Sequence, residues 1–259
     1  MKAKILLTLT LTSLILFTSC SSSKESKDDS EAPKEKTYIE RYEDGLMAFE
    51  NKKYYKSIDD FNYVVFNAPG SDIADNAQFY LASANFEMKE YLVAIQEYQS
   101  LLRRWPASDL YEEARFKIAE CYFNHSPGYQ RDQQSIDKAI ISYQDFIDEY
   151  PFSDKRPLAE ARIKELRTGL ATKIYEAGNL YMVLREWNAA IVTFQEIIDS
   201  YYDTDILNDT YLDIATCKSK LGKREDMINA LTKVDKDKLN TKQLLHYNSL
   251  MKLSLEWAE

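Results

Sequence analysis

The side chains that most often perform chemistry in proteins are scarce in this sequence. Its 259 residues include two histidines and three cysteines, which are His125, His246, Cys20, Cys121 and Cys217. A zinc site needs three or four clustered ligands, and a cysteine nucleophile needs a nearby base. Two histidines and three cysteines nearly exclude both kinds of site. Acidic pairs such as Glu112-Glu113 are common on solvated helix faces and carry no catalytic signal. We therefore expect no enzyme, no metal and no cofactor.

Cys20 is the exception, because the residues before it predict a reaction at its thiol. Two lysines precede the apolar stretch 5–17, a pattern that is typical of a secretory signal and too short to span a bilayer comfortably. Small residues at 18–19 then lead directly to Cys20, as in the processing box of bacterial lipoproteins. We predict that residues 1–19 are a signal peptide and that Cys20 is acylated. The alternative is an ordinary signal peptide with an incidental cysteine.

Residues 20–36 follow as a run of serines, lysines and acids. This composition favours a disordered tether, and about 16 flexible residues span roughly 20–25 Å. The mature chain would then be anchored to a membrane by its lipid without crossing it.

The overall composition favours helices and argues against nucleic acid as a partner. Lys and Arg total 33 against 42 Asp and Glu, for a formal net charge of −9, so little is available to neutralise a phosphate backbone. Gly and Pro number only six each. This scarcity suits helices joined by short loops.

The main feature of the sequence is an internal repeat with a period of 37 residues. The segment ending at Pro69 matches the segment ending at Pro106 in its small, aliphatic, aromatic and proline positions. A small residue also recurs twelve positions before the small residue of each such segment, as Gly45 does before Ser57. These first-helix anchors are Gly45, Ala82, Ala119, Gly178 and Ala215. Closely crossing helices need such residues at their contact, so the pattern predicts helix pairs of the tetratricopeptide (TPR) type.

The interval between the third and fourth anchors is 59 residues instead of 37. We assign the extra residues to a loop around 124–132 and to a long helix from Leu158 to Tyr181, which could break near Gly169. Each corner between pairs carries Ser or Thr followed by Asp, at 71–72, 108–109, 153–154 and 204–205. We expect these residues to cap the next helix, with Asp109 and Glu112 as a capping box.

Together these patterns predict an all-α solenoid of about five TPR-like helix pairs plus a C-terminal capping helix from Thr241 to Trp257. Five leucines are expected to cover the open end of the solenoid, namely Leu244, Leu245, Leu250, Leu253 and Leu255. The predicted divisions are the signal peptide 1–19, the tether 20–36, repeats one to three at 37–157, and the long helix with repeats four, five and the capping helix at 158–259.

The lipoprotein signal, the polar tether, the five repeats and the 59-residue interval together resemble the BamD family, lipoproteins of the outer-membrane β-barrel assembly machinery. The most specific matching residues are Arg131 to Gln134, Ala139, Phe146, Tyr150-Pro151, Ala171, Lys173, Tyr175, Tyr181 and Trp187. The resemblance implies a scaffold on the periplasmic side of the outer membrane. It also implies that the C-terminal repeats dock the periplasmic domains of the barrel insertase, and that the N-terminal repeats help to recognise unfolded outer-membrane barrel proteins.

Two columns of aromatic residues mark a candidate partner-binding surface. The first column lies three residues before the anchors and contains Tyr42, Phe79 and Phe116; the second lies four residues after them and contains Phe49, Phe86 and Phe123. Positions seven apart share one helix face, so the columns could form pockets for an extended barrel-protein segment. Equally, the rings could pack between neighbouring helices as core. The sequence leaves both possibilities open.

Cys121 and Cys217 each follow an anchor by two residues. They therefore occupy equivalent slots two repeats apart, too distant for the ~6 Å that a disulfide requires. We predict two buried free thiols.

Two other functions remain as alternatives. One is a different periplasmic TPR lipoprotein scaffold, concerned with envelope division or peptidoglycan coordination. The other is a glycan hydrolase that uses paired carboxylates, although no convergent pair supports it.

Overall fold

The computed structural model describes residues 35–126 and 133–256, and within them eleven α-helices follow one another without a β-strand. The helices are α1 (Tyr38–Glu50), α2 (Tyr54–Asn67), α3 (Ala74–Glu87), α4 (Tyr91–Arg104), α5 (Tyr111–His125), α6 (Gln133–Glu149), α7 (Arg156–Val183), α8 (Trp187–Ser200), α9 (Leu207–Lys220), α10 (Arg224–Thr232) and α11 (Thr241–Glu256). A single 3₁₀ turn, Lys236–Lys238, precedes α11. The predicted signal peptide, Cys20, most of the tether and the Arg131-Asp132 motif lie outside the described residues.

The helices form five successive pairs, α1 with α2 through α9 with α10. Each helix packs against the next one along the chain, and α11 packs against both α9 and α10. Short turns between packed neighbours give the antiparallel hairpins of helical repeats. The predicted all-α solenoid of five TPR-like pairs with a C-terminal capping helix is confirmed.

The small anchor residues lie where the two helices of a pair touch. A Cβ atom added to Gly45 would lie 2.8 Å from the Phe61 ring, and one added to Gly178 would lie only 2.3 Å from the Phe194 ring. Real Cβ atoms do not approach other atoms so closely, so the ring of the second helix fills the space that glycine leaves. The other three anchors, Ala82, Ala119 and Ala215, are fully buried.

The long helix α7 is continuous over 28 residues, so the expected break near Gly169 is wrong. Gly169 lies in the helix interior, where glycine costs about 1 kcal/mol relative to alanine but does not by itself end a helix. The loop expected around 124–132 begins later than predicted, because α5 continues through His125. Residues 127–132 lie outside the described part of the chain.

The predicted N-caps at the corners between pairs are wrong. The caps of α3, α5, α7 and α9 fall one residue after each Ser-Asp or Thr-Asp pair and make no side-chain hydrogen bond to the helix. Ser108 and Ser153 do accept the backbone N–H of the cap residues Leu110 and Lys155, at 3.2 and 3.1 Å. Their hydroxyls also donate, Ser108 to Asp75 at 2.5 Å and Ser153 to Glu112 at 2.6 Å. These carboxylates belong to the preceding pair, so the serines join neighbouring pairs. Reciprocal capping boxes form elsewhere, between Thr37 and Glu40 at the start of α1 and between Asn240 and Gln243 at the start of α11.

The capping helix α11 uses a different face from the one expected. Tyr247, Leu250 and Ser254 are buried against the last pair, a spacing of three and four residues that follows one helical stripe. Leu244, Leu245 and Leu255 are 43%, 67% and 66% exposed. The expectation that all five leucines cover the open end is therefore wrong for these three, because only the stripe through Leu250 faces the core.

Candidate polypeptide-binding face

The six predicted partner-binding residues lie on the first helices of the first three pairs, two to a helix. Five of the six side chains are partly buried, and Phe116 is the buried exception, at 5% exposure. The set is Tyr42 and Phe49 on α1, Phe79 and Phe86 on α3, and Phe116 and Phe123 on α5. The two columns differ in what they contact.

The first column packs inside each pair, against an aromatic ring of the second helix. Ring centroids are 5.8 Å apart for Tyr42 and Phe61, 5.4 Å for Phe79 and Tyr98, and 5.9 Å for Phe116 and Tyr143. The fourth pair repeats the contact with Tyr175 and Phe194 at 5.5 Å. A contact that recurs in four pairs at one distance belongs to the way the helices pack.

The second column lies at the boundary between neighbouring pairs. Phe49 meets Tyr80 of the next pair at 5.6 Å between ring centroids. The Lys117 ammonium lies 5.3 Å from the Phe86 ring centroid, and the Arg162 guanidinium lies 4.3 Å from that of Phe123.

Each ring of the second column therefore packs between the next pair and an aromatic ring of its own pair, and it remains partly exposed. The rings of the same pair are Tyr54 for Phe49, Tyr91 for Phe86 and Tyr143 for Phe123. Such rings can offer an aromatic face to a segment that crosses from pair to pair.

Tyr80, Lys117 and Arg162 were not identified from the sequence. Tyr80 and Lys117 share a repeat phase, two residues before their anchors Ala82 and Ala119, and that recurrence could have revealed them. Arg162 lies in the inserted part of α7, which has no counterpart in the other pairs, so no repeat phase could have indicated it.

A polar network borders the third pair. Tyr143 donates its hydroxyl proton to Glu120 at 2.5 Å, and the Arg162 Nε lies 3.6 Å from the same carboxylate. Burial and the Glu120 carboxylate both raise the pKa of Tyr143 above its ordinary value, while burial raises the pKa of Tyr98 in the second pair. Both phenols therefore stay protonated at neutral pH. The arrangement can hydrogen-bond and stack, but it presents no activated nucleophile.

Both predicted free thiols are confirmed. Cys121 and Cys217 are buried and unpaired, and burial raises the pKa of Cys121 to about 12 and that of Cys217 to about 11. Such thiols are poor nucleophiles and poor metal ligands.

Residues 35–126 and 133–256 lack two further features. No group of three or more His, Cys, Asp or Glu side chains there could hold a metal ion. None of the helices in this part of the chain combines the length and apolarity that a membrane crossing demands.

Comparisons with known proteins agree with this description. The model of the family described as YfiO, outer membrane lipoprotein, matches residues 34–231, a range that covers the first four pairs and nearly all of the fifth. A curated relative is 26% identical over 163 residues and is named outer membrane protein assembly factor BamD, from Rickettsia prowazekii strain Madrid E. That match covers 63% of this chain, and the chain spans 65% of the length of the relative.

Two solved structures with TPR in their titles also align with the chain. The TPR2AB domain of yeast Sti1, in a pHSP90 complex, is 17% identical, with 85% of each chain covered and a TM-score of 0.44. A thermophilic TPR protein of Thermus thermophilus is 14% identical, covers 83% of this chain and 99% of its own, and has a TM-score of 0.36. At these scores the likenesses carry no argument beyond the helices themselves.

Proposed function

The chain belongs to the YfiO family of outer membrane lipoproteins, and we propose that it is a non-enzymatic scaffold in the assembly of outer-membrane β-barrel proteins. The match over residues 34–231 carries this proposal, because it spans nearly all of the five helix pairs. The name of the Rickettsia relative, an outer membrane protein assembly factor, supports the same role. In this proposal the chain needs no cofactor, and binding alone supplies the energy of its action.

The proposed anchor is an acylated Cys20 that holds the solenoid on the periplasmic side of the outer membrane. Several acyl chains, each adding about 0.8 kcal/mol per buried CH₂, make such an anchor firm without a spanning helix. Mass spectrometry of the protein extracted from membranes should show acyl chains on an amino-terminal Cys20, and the C20S variant should lack them. An unmodified Cys20 thiol at the amino end would contradict the anchor.

The proposed partners are of two kinds. Unfolded outer-membrane barrel segments would bind across the second column of the first three pairs, where each aromatic ring is partly exposed at a boundary between pairs. The periplasmic domains of the barrel insertase would dock on the C-terminal pairs, as the family resemblance implies, and we assign no contact residue there.

Affinity purification of the lipidated full-length protein from membranes in mild detergent tests the assembly role. The expected result is that an insertase of the β-barrel class co-purifies with it, as identified by mass spectrometry. Consistent absence of any such insertase, with the protein intact and lipidated, would overturn the assembly role and leave the fold unaffected.

A further inference from the structure

Four turns inside helix pairs, all in the described part of the chain, share a backbone feature that the aromatic columns do not explain. In the first pair, the Lys52 amide donates to the Phe49 carbonyl at 2.9 Å and the Lys53 amide donates to the Ala48 carbonyl at 2.8 Å. The same two bonds recur at the ends of α3, α7 and α9. This is the Schellman ending of a helix, which places the first of the two donors in the left-handed region, where glycine is the usual residue.

This chain places a cation at that left-handed position in three of the four pairs. The φ angle is 58° at Lys52, 65° at Lys89 and 61° at Arg185, and only the fifth pair uses glycine, Gly222 at 73°. A side chain with a Cβ is strained in this conformation and glycine is not.

All three cations are exposed and form no ion pair with another described residue. Neither packing nor charge pairing within the described residues accounts for them.

The first of these turns combines free positive charge with an apolar surface. A shallow cleft of about 380 Å³ is lined by Lys52, Lys53, Tyr54, Tyr55, Lys56 and Met88. No carboxylate lines this cleft, which we call the first-turn cleft. Of its three lysines only Lys56 is ion-paired, to Asp60 at 2.5 Å. Tyr55 is 77% exposed, which is unusual for so large a ring.

The second turn adjoins the first-turn cleft, because Met88 is the C-cap residue of α3. Lys89 follows Met88 directly, so a third unpaired lysine lies close to the cleft. Acidic residues also border these turns, since Glu50, Glu87 and Glu90 are exposed nearby. None of the three lines the cleft itself.

Three cations near the turns between pairs differ from Lys52, Lys89 and Arg185, because each forms an ion pair. Lys155 pairs with Glu113 at 2.9 Å, Lys164 with Asp205 at 2.6 Å, and Arg167 with Asp203 at 2.7 Å. Those charges are already neutralised within the solenoid. In the first-turn cleft, by contrast, Lys52 and Lys53 have no ion-pair partner among the described residues and lie beside tyrosine rings and Met88.

We propose that the first-turn cleft binds the phosphate-bearing headgroup of an anionic phospholipid, so that this turn rests on a membrane surface. The lysines would contact the phosphate, while the tyrosine rings and Met88 would lie at the level of the glycerol and upper acyl chain, where amphipathic rings are favoured. The chain as a whole is repelled by an anionic surface because its net charge is −9, so this patch would set the orientation of the solenoid. The biological meaning of this contact rests on the proposed lipid anchor.

Vesicle sedimentation with the chain from residue 20 onward, carrying Cys20→Ser, tests the proposal without an acyl chain or a signal segment. All described helices lie in the compact unit that begins at Lys36, so this form retains the whole solenoid. We expect binding to vesicles made of equal parts phosphatidylcholine and phosphatidylglycerol, and little binding to pure phosphatidylcholine. Because each lysine contributes about fivefold, the K52Q/K53Q variant should lower the partition coefficient about 25-fold.

Lys138→Gln with Lys173→Gln is the matched control, since both lysines are exposed and unpaired among the described residues but lie far from the cleft in sequence. This double variant should keep binding within about twofold of the parent. Equal binding to both vesicle types, or an equal loss in the control, would overturn the proposal. Full competition by inorganic phosphate would also overturn it, because the site would then fit the free ion.

Lys52→Gly separates a role of the charge from a role in the fold. Glycine relieves the left-handed strain, so the melting temperature should rise while vesicle binding falls. A fall in both quantities would show that Lys52 serves the fold and would contradict the proposal. Because this assay contains no lipid anchor and no insertase, its failure leaves the proposed function standing. Failure of the C20S or co-purification experiment would conversely leave the vesicle result intact.

Discussion

The first three helix pairs and the last two use the same packing but differ in their aromatic side chains. At the first-column position the ring persists into the fourth pair, where Tyr175 meets Phe194 as Tyr42 meets Phe61. At the second-column position the first three pairs hold phenylalanine, whereas the last two hold Met182 and Ser219. The fourth and fifth pairs still pack as helix hairpins.

This difference separates the demands of the fold from those of a surface. A ring occupies the first-column position in four pairs, and the fifth pair holds the buried Leu212 there, so the fold requires a large apolar side chain at this position. A ring at the second-column position can be replaced by methionine or serine without loss of the pairing, so the fold does not require it there. The second column of the N-terminal pairs is therefore the better candidate for binding.

Truncation of the first column should have the largest effect on stability. Phe116→Ala removes a buried ring that contacts Tyr143 and Phe146, so the free energy of unfolding should fall by about 3–5 kcal/mol. Phe123→Ala removes a partly buried ring of the second column and should cost less than half as much. Urea denaturation of both variants measures the difference, and equal losses would erase the distinction between the columns.

Adding a Cβ atom at the glycine anchor should destabilise the protein more in the C-terminal region than at the N-terminus. Gly178→Ala would place a Cβ 2.3 Å from the Phe194 ring in the interior of the solenoid, so we expect a loss of about 1–3 kcal/mol. Gly45→Ala creates a milder contact of 2.8 Å with Phe61, in a first pair that no earlier pair confines. Its loss should be smaller, since alanine also favours the helix. The reverse order in denaturation would contradict this account of the anchors.

The ion pairs that tie a first helix to the end of the following helix also differ between the regions. Arg167 forms a bidentate salt bridge with Asp203, through two nitrogens at 2.9 and 2.7 Å. Arg115 makes a single contact with Glu149 at 2.8 Å. Both pairs are partly exposed, so R167Q should cost only about 0.5–1 kcal/mol at pH 7, and R115Q less.

The Arg167 contribution should also depend on pH in a defined direction. The hydrogen bond from Arg167 lowers the pKa of Asp203 below its ordinary 3.8. The stabilisation is therefore complete above pH 3.8 and is lost as the pH falls through the lowered value. Denaturation of R167Q and parent protein between about pH 7 and about pH 2 should show their difference shrinking on acidification. A difference that grows would contradict the assignment.

The two thiols provide the smallest test, because they occupy equivalent positions in the two regions. With a pKa of about 12 for Cys121 and about 11 for Cys217, neither should react with a chromogenic disulfide at about pH 8 in the folded protein. Raising the pH within the stable range should label Cys217 first, as read by mass spectrometry of peptides. Rapid labelling of Cys121 at the lower pH would show that the N-terminal region opens locally.

Much of the fold was predictable because the repeat constrains it directly. A small residue at each helix crossing is a steric requirement, so Gly45 and Ala82 reveal their positions in the sequence alone. The equivalent slots of Cys121 and Cys217 follow from the same phase. The aromatic columns were also found in this way, since they keep a fixed distance from the anchors.

Features that depend on contacts between pairs were not predictable. Ser108 has the sequence context of an N-cap, but its hydroxyl binds Asp75 of the preceding pair. Arg162 covers Phe123 from an inserted stretch of α7 that no repeat phase marks. The number of leucines in α11 suggested that Leu245 is buried. Instead, the helical stripe through Leu250 faces the core and Leu245 lies outside it. Local sequence gives the helices, but the approach of neighbouring pairs sets these contacts.

Binding of a labelled unfolded outer-membrane barrel segment, measured by fluorescence anisotropy, tests the central claim most directly. The F86S/F123S variant should bind about tenfold or more weakly at a temperature where it is fully folded, with helicity close to that of the parent and a melting temperature lowered only by the partial truncation of the two rings. Met182→Ser, at the same repeat position in the fourth pair, is the matched control and should bind as the parent does. Unchanged binding in F86S/F123S, or a loss seen only together with early melting, would contradict the claim that the second column is a binding surface.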